Sequence, residues 1–263
     1  MRRLAALLPV LCLAALGGAA FAAAPAKTPR LADGHPDLNG VWENGGGIDF
    51  LKPQPGQGGS ICVRECETLP GAAAARQPPD RPRYRPEFQK KVTELREKQV
   101  QFDPILRCRP PGVPRIGPPD KIVQTKREVV FLYEDVSGPF YRIVPLDPKV
   151  RRNDSSESYL GEASGRWDGD TLVIETRNFN EDSWLTDDGA FHTRDLKVTE
   201  RLTRVGNTID YSAIVEDPTV LAEPWRMRPR RLGLTDVEFS EPAPCFEQDM
   251  ALMQDDSHHT NPR

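Results

Sequence analysis

Neither sign of charge dominates this sequence, and histidine and cysteine are scarce. The chain has 35 Lys and Arg against 39 Asp and Glu, which gives a formal net charge of −4. A balance this close to neutral disfavours nonspecific binding to nucleic acid or to an anionic membrane surface. The four His and five Cys are scattered along the chain, so the sequence does not fit a zinc-finger protein.

Long apolar runs are also missing after the N-terminus. Apolar residues make up 38% of the sequence and aromatic residues 7%, and no later segment is apolar for the roughly 18 residues that a membrane helix needs. We therefore expect no membrane span once the N-terminal segment is removed. Glycine and proline are by contrast frequent, at 20 and 26 residues, which predicts many turns and disfavours a bundle of long helices.

The N-terminal segment has the three parts of a secretory signal peptide. Two arginines form its charged start, residues 4–16 form its apolar stretch, and residues 20–22 read Ala-Phe-Ala, a small-x-small cleavage site. The apolar stretch is short and is interrupted by Pro9, so cleavage is favoured over an uncleaved anchor. The sequence thus predicts a signal peptide over 1–22 and a periplasmic or secreted protein.

Export would place the remaining cysteines in an oxidising compartment, where they can pair. These are Cys62, Cys66, Cys108 and Cys245. Of the three possible pairings, proximity in the chain favours a local bridge between Cys62 and Cys66, which leaves Cys108 to join Cys245. A redox or metal site at Cys62 and Cys66 is the alternative, but redox motifs normally have two intervening residues, and no histidine is near.

The first part of the mature chain is predicted to be mostly irregular. Residues 23–86 are rich in Pro, Gly and Ala and carry one ordered signal, a strand near 40–43. A single helix is predicted over 86–102, because a proline suits its first position and apolar residues follow at i, i+4 and i+7. The opposite face of this helix is charged, so we expect it to pack on the outside of the domain.

The rest of the chain, 87–263, is predicted to form a β domain that ends in an irregular C-terminal tail. Beyond the helix, β-branched and aromatic runs alternate with turns about every ten residues, and Asp168-Gly169 is the strongest hairpin signal. With the strand near 40–43 they make about eight strands: 121–125, 128–134, 140–144, 158–167, 171–176, 196–202 and 208–216. The predicted class is mainly β, a lipocalin-like antiparallel barrel or strongly bent meander sheet with one peripheral helix.

Several motifs resemble those of one protein family. They are D-G-H-P-D-L-N-G-V-W at 33–42, C-R-P-P-G at 108–112, V-F-L-Y-E at 130–134 and G-R-W-D-G-D-T-L at 165–172. Together they resemble a large family of exported bacterial proteins of unknown function, and the resemblance extends over nearly all of the mature chain. It implies an exported, β-rich domain with a cavity of small-molecule size. It implies no general activity and no catalytic residues, so the candidate site rests on residue chemistry.

A long loop over 178–194 carries the densest group of polar and aromatic residues. A connection of this length in a compact domain is usually functional or disordered. Its side chains Phe179, Trp184 and Phe191 are too apolar to leave in water, so we expect the loop to fold over a barrel mouth and these rings to contact a bound substrate.

The same loop contains the one histidine of the predicted core region. His192 titrates near neutral pH and is therefore a candidate general acid or base, with Asp187 or Asp188 holding its tautomer. The alternative is a histidine that only forms hydrogen bonds with the loop backbone.

A second set of candidates lies on the strands. If Val129 and Phe131 face inward, alternation also turns the Tyr133 phenol towards the interior. Other polar residues in apolar strands are Arg142, Glu175, Glu200 and Tyr211. Each of them either faces water or is buried with a partner, because an unpaired buried charge is very costly, and an ion pair between Glu200 and Arg201 is one such structural alternative.

These residues predict a pocket for a hydrophobic, aromatic small molecule. In the favoured hypothesis the protein is a lyase or isomerase that moves protons without a cofactor or metal; His192 is the acid or base, and Tyr133 and Arg142 stabilise negative charge on oxygen. Glu175, Glu200 and Tyr211 would complete the substrate pocket. One alternative is a lipocalin-like carrier without chemistry, and another is a secreted module whose aromatic loop binds a protein.

Overall fold

Antiparallel strands make up most of the ordered chain. We describe the protein from a computed structural model, and the described residues are 27–44, 54–55, 61–62, 80–135, 137–147, 149–150, 156–241 and 244–246. The strands are β1 (Gly40–Asn44), β2 (Gln54–Pro55), β3 (Ile61–Cys62), β4 (Lys121–Gln124), β5 (Glu128–Asp135), β6 (Gly138–Pro145), β7 (Glu162–Asp168), β8 (Thr171–Arg177), β9 (Lys197–Val205), β10 (Thr208–Glu216), β11 (Trp225–Arg226) and β12 (Arg230–Thr235). Two helices, α1 (Gln89–Glu97) and α2 (Gln99–Phe102), precede β4.

Ten of the strands form one sheet. Its order is β6-β5-β4-β1-β12-β10-β9-β8-β7, with β11 added to β10, and its ladders are antiparallel. The strands β2 and β3 pair separately. The large sheet curls into a nearly closed barrel, so the prediction of a mainly β, antiparallel barrel with one helical segment is confirmed.

The strand register follows from alternating side chains and turn glycines. Along β9 and β10 every second side chain is buried, which directs one face of each strand into the core. The predicted hairpin at Asp168-Gly169 joins β7 to β8, and Gly169 has a φ of +59°, a conformation that favours glycine. The local pattern therefore determined these hairpins correctly.

Two strands of the sheet, β11 and β12, lie beyond 208–216, the last strand that the sequence predicts. The strand β12 pairs with β1 on one side and with β10 on the other, so it joins the N-terminal strand to the rest of the barrel. Two arginines and Gly233 dilute the apolar signal of Leu232 and Leu234, and such residues are weak strand formers. Tertiary pairing rather than local preference makes this segment a strand.

The helical region lies where the sequence predicts it, with an interruption. A 3₁₀ turn at Pro86–Phe88 leads into α1, and Lys98 separates α1 from α2. Phe88, Val92 and Leu95 pack against the core from outside the sheet. Among the described residues, the structure contains no helix that is long and apolar enough to cross a membrane.

A disulfide joins Cys108 to Cys245, as one of the predicted pairings requires. The bridge closes a loop with a sequence separation of 137 residues, which in the chain-entropy account favours folding by about 4 to 5 kcal/mol. Cys66 and the side chain of Cys62 lie outside what the structure describes, so their pairing stays a prediction. The predicted signal peptide over 1–22 also lies outside the described residues.

The barrel closes by packing rather than by a further ladder. The strands β6 and β7 are the two ends of the sheet, and no ladder joins them in the described part of the chain. We call the line where they meet the seam. At the seam Gly165 of β7 lies so close to β6 that a Cβ added to it would be 2.8 Å from Val144 Cγ1 and 3.1 Å from Leu146 Cδ2. The missing side chain of Gly165 thus lets the two ends approach.

A valine at position 165 should push the seam apart. We expect Gly165→Val to lower the free energy of unfolding by about 1 to 3 kcal/mol, the usual cost of overfilling a packed contact. Gly233→Val is the matched control, because a Cβ there meets no atom within 4 Å. Urea unfolding of both variants checks this, and an equal effect at the two positions would show that the seam is not tightly packed.

Candidate functional site

Five side chains from five strands meet inside the barrel. Tyr133 lies on β5, Arg142 on β6, Thr176 on β8, Glu200 on β9 and Tyr211 on β10. Strand alternation turns each of them inward, and none is more than 4% exposed. All of them except Thr176 are predicted from the sequence as candidate site residues. We call these five residues the Arg142 network.

Arg142 is the centre of this network. Its Nη1 donates to the Tyr133 hydroxyl at 3.2 Å and to Glu200 Oε1 at 3.1 Å. Its Nη2 donates to Thr176 Oγ1 at 2.9 Å and to Glu200 Oε2 at 2.5 Å. The Tyr211 hydroxyl donates to Glu200 Oε1 at 3.1 Å. Arginine and carboxylate therefore meet bidentately, which is the strongest geometry for such a pair.

One nitrogen of the guanidinium has no partner. Arginine has five N–H donors, and the four bonds above use its two Nη atoms. The Nε atom remains, and within the part of the chain that the structure describes it is the one buried side-chain nitrogen or oxygen without a hydrogen bond. An unpaired buried donor costs about 1 to 3 kcal/mol. An acceptor that reached Nε would recover this free energy.

Arg142 and the two tyrosines of the network have fixed protonation states. Burial is the main cause that raises the pKa of both Tyr133 and Tyr211 far above the usual range, and the Glu200 carboxylate raises it further. Burial disfavours the charge on Arg142, but Glu200 outweighs burial and raises the pKa of the guanidinium. The network therefore presents a permanent cation and two phenols that donate hydrogen bonds.

Glu175 and the possible ion pair between Glu200 and Arg201 differ from the sequence prediction. Glu175 is exposed on β8 and pairs with Arg177 at 2.9 Å, so it contributes nothing to the barrel interior. The ion pair between Glu200 and Arg201 is not formed. Alternation turns Arg201 outward, where it pairs with Asp168 at 3.0 Å.

A cleft of about 500 Å³ opens at the seam beside the network. Its wall contains the outward-facing Tyr141 and Ile143 and the inward-facing Arg142 and Ala163. The cleft therefore reaches from the surface to the edge of the barrel interior, and its volume is typical of a small-molecule site. Further apolar lining comes from Pro110, Pro145, Val150 and Leu160.

The cleft exposes apolar side chains to water. Tyr141 is 64% exposed, Val150 49% and Ile143 48%. Contiguous apolar surface of this kind commonly marks a binding site. These residues are not among those predicted from the sequence, although a signal is present: β6 carries apolar residues on both of its faces, whereas a strand with one wet face normally alternates.

His192 is buried within the long loop and has a partner at each ring nitrogen. Its Nδ1 lies 3.0 Å from the Thr193 carbonyl oxygen, which can only accept, so Nδ1 carries the proton. Its Nε2 then accepts from the Ser183 hydroxyl at 2.8 Å. Burial lowers the pKa of His192 below its usual value and keeps the ring neutral. These contacts fit the alternative of a histidine that binds the loop itself.

The partner of His192 was not foreseen from the sequence. A serine hydroxyl that donates to a histidine nitrogen has the arrangement of a nucleophile and its base. Ser183 is however fully buried, and a Cβ added to Gly112 would lie 2.5 Å from its Oγ. The backbone of Gly112 thus covers the hydroxyl, and a substrate has no room to approach it from that side.

The two aspartates of the loop do not hold His192. Asp187 accepts from Arg115 Nε at 2.8 Å, and the same buried arginine binds Asp103 at 2.8 Å through each of two nitrogens. Asp188 pairs with Arg81 at 2.7 Å. The predicted pairing of Asp187 or Asp188 with His192 is corrected, because both carboxylates instead tie the loop to the segments before β4.

The aromatic residues of the loop pack against one another and against the core. Phe179 is 0% exposed, and Trp184 and Phe191 are each 5% exposed. Tyr84 stacks on Phe191 at a centroid distance of 5.2 Å and also donates from its hydroxyl to the Phe191 carbonyl. The rings are thus enclosed by side chains, whereas the sequence predicts that they contact a substrate.

Known proteins do not identify the site. No protein-family model matches this chain, and no curated protein or solved structure matches it either. The resemblance to exported bacterial proteins therefore stays a prediction. In the described part of the chain, no group of three or more His, Cys, Asp or Glu side chains is placed to hold a metal ion.

Removal of the Glu200 charge should destabilise the protein strongly. In Glu200→Gln the buried Arg142 loses its counter-charge, and breaking a buried pair in this way typically costs about 3 to 5 kcal/mol. Asp210→Asn is the matched control on the next strand, since it breaks the exposed pair with Arg231 and should leave the urea midpoint almost unchanged. Equal midpoints for the two variants would contradict the structural importance of the Arg142 network.

The lowered pKa of His192 predicts a loss of stability in acid. The unfolded chain binds a proton to this histidine below about pH 6.5, while the folded protein resists it, so stability falls as the pH drops through that value. His192→Asn removes this titration, and its amide can still donate to the Thr193 carbonyl. We expect urea unfolding at pH 7.5 and pH 5.5 to show a smaller loss for the variant than for the wild type.

Asp120 provides an internal contrast for this measurement. Burial raises its pKa to about 6, so proton uptake by the folded protein stabilises it as the pH falls from about 6 towards 4. This opposite contribution is present in both the wild type and His192→Asn, so it cancels in the difference between their free energies of unfolding. If the difference in the free energy of unfolding between the wild type and His192→Asn is the same at pH 7.5 and pH 5.5, the pKa of His192 is not lowered by burial.

Proposed function

We propose that the protein binds a hydrophobic small molecule and that the cleft at the seam between β6 and β7 is its site. The observation that carries the proposal is the cleft of about 500 Å³, in which exposed Tyr141 and Ile143 share a wall with Arg142. Most small-molecule sites combine apolar surface, which supplies affinity, with a few polar groups, which orient the ligand. The cleft has both.

The contacts support binding without chemistry, as in a carrier. His192, the proposed acid or base, has both nitrogens bonded within the protein. Trp184 and Phe191, the proposed stacking residues, are packed in the core. These loop residues therefore stabilise the loop itself, whereas the seam has apolar surface that is open to a ligand.

Polar substitution in the cleft should weaken ligand binding. We expect Ile143→Ser to reduce the affinity for a hydrophobic ligand such as 2-acetylnaphthalene by about tenfold, because it removes most of one apolar side chain from the contact. Val205→Ser is the matched control, since Val205 is 47% exposed against 48% for Ile143 and lies outside the cleft wall. Titration calorimetry of both variants decides, and equal affinities would place the ligand elsewhere.

A second candidate function is the cofactor-independent lyase or isomerase. The observation that favours it is the Arg142 network, in which the Tyr133 hydroxyl lies beside the Arg142 guanidinium, a pair of groups that can stabilise negative charge on a substrate oxygen. Incubation with a panel of aromatic and terpenoid compounds, followed by native mass spectrometry, separates the two functions. A ligand retained unchanged supports the carrier, and a product of equal mass, or one lighter by a small leaving molecule, supports the enzyme.

The compartment is part of the same proposal. We infer that the protein works in the periplasm or outside the cell, and the disulfide between Cys108 and Cys245 supports this, since such bonds persist in oxidising compartments. Fractionation of the native host, with detection of the mature N-terminus by mass spectrometry, tests it.

A further inference from the structure

We infer that the ligand of the seam cleft is an uncharged hydrophobic molecule with an acceptor oxygen, of the ketone, ester or quinone class, and that this oxygen accepts a hydrogen bond from Nε of Arg142. The inference rests on the proposed function and specifies the chemistry of its ligand. Two properties of the described residues lead to it: the unused donor of Arg142 and the charge balance around the cleft.

The unused donor calls for an acceptor. The four Nη hydrogens of Arg142 are taken by Tyr133, Thr176 and Glu200, and Nε is buried without a partner. Arg142 also belongs to the cleft wall. A ligand oxygen at this end of the cleft would complete the set of five donors, whereas a pure hydrocarbon would leave Nε unpaired.

The charge balance selects against an anionic ligand. Glu200 already neutralises Arg142 through a bidentate contact. The Arg142 side chain is 3% exposed and the Glu200 side chain is 0% exposed. The other strongly acidic or basic group among the described residues of the wall is Glu162, which has an interaction of its own within the protein and offers no positive charge to a ligand. A ligand carboxylate would therefore add an uncompensated negative charge beside a buried pair, and desolvation makes this costly.

Among the described residues, two further cations lie next to lining residues in the chain: Lys149, which is exposed and precedes Val150, and Arg109. Arg109 precedes the lining residue Pro110, is exposed, and donates to the Tyr159 hydroxyl at 2.9 Å. Water screens an exposed charge of this kind, so it attracts a ligand anion only weakly. The inner end of the cleft, where Arg142 lies, thus determines the preference for a neutral acceptor.

Three probes of similar size test the inference on the full-length mature protein at pH 7.5. They are 2-acetylnaphthalene, which is neutral with a carbonyl, 2-ethylnaphthalene, which is neutral without an acceptor, and 2-naphthoate, which is anionic. Calorimetric titration should show that the ketone binds about tenfold more tightly than the hydrocarbon, the effect expected of one hydrogen bond from a charged donor. The anion should bind more weakly than the ketone.

A spectroscopic signal reports on the atom itself. In nitrogen-15 spectra of the arginine side chains, the Nε–H resonance of Arg142 should shift when the ketone is added and stay in place with 2-ethylnaphthalene. Arg142→Lys assigns that resonance and keeps the positive charge while removing Nε–H, so its preference for the ketone over the hydrocarbon should fall below about twofold. If this variant fails to fold, the wild-type spectra and titrations still decide.

The outcomes separate this inference from the function on which it rests. Equal affinity for all three probes supports a hydrophobic site in general and overturns the acceptor inference. Tightest binding of the anion overturns it as well, because the cleft would then recognise charge. No binding of any probe overturns both the inference and the proposed function. Tight ketone binding without a shift of the Arg142 Nε–H resonance assigns recognition to another donor and also overturns the inference.

Discussion

The bidentate pair between Arg142 and Glu200 is the contact on which the shape of the barrel depends. Arg142 lies on β6, at one end of the sheet, while Glu200 lies on β9 in the opposite half. No backbone ladder joins the two end strands in the described part of the chain. The hydrogen bonds from the Arg142 guanidinium to side chains of β8 and β9 therefore link β6 to the other half of the sheet across the barrel interior. Burying two charges is costly, and the near-complete set of hydrogen bonds around them offsets that cost.

The cleft is a direct consequence of this form of closure. A backbone ladder at the seam would place β6 and β7 side by side and leave little space between them. Closure through side chains brings the strands together at Gly165 and leaves the cleft beside Arg142 and Ala163. The same arrangement that closes the barrel therefore connects its polar interior to an apolar opening on the surface, and this combination is what suggests a ligand site.

The loop over 178–194 shows how residue types suggestive of catalysis can serve architecture. Its histidine is neutral and bonded to Ser183 and Thr193, and its carboxylates bind arginines of the preceding segments. A buried loop must satisfy its own polar groups, and short polar side chains do so efficiently. Composition alone does not distinguish that need from the requirements of an active site.

The sequence by itself determined the fold class, the main hairpins, the helical segment and the inward face of Tyr133, because strand alternation and turn glycines act over a few residues. Only the tertiary structure decided that β12 is a strand, that His192 binds Ser183, and that Arg142 meets Glu200 at a separation of 58 residues. The tertiary structure also decided that the sheet has its two unpaired ends at β6 and β7. Each of these depends on which distant segments approach one another in the folded barrel, and hydrophobic periodicity carries no information about the partners of a buried polar group.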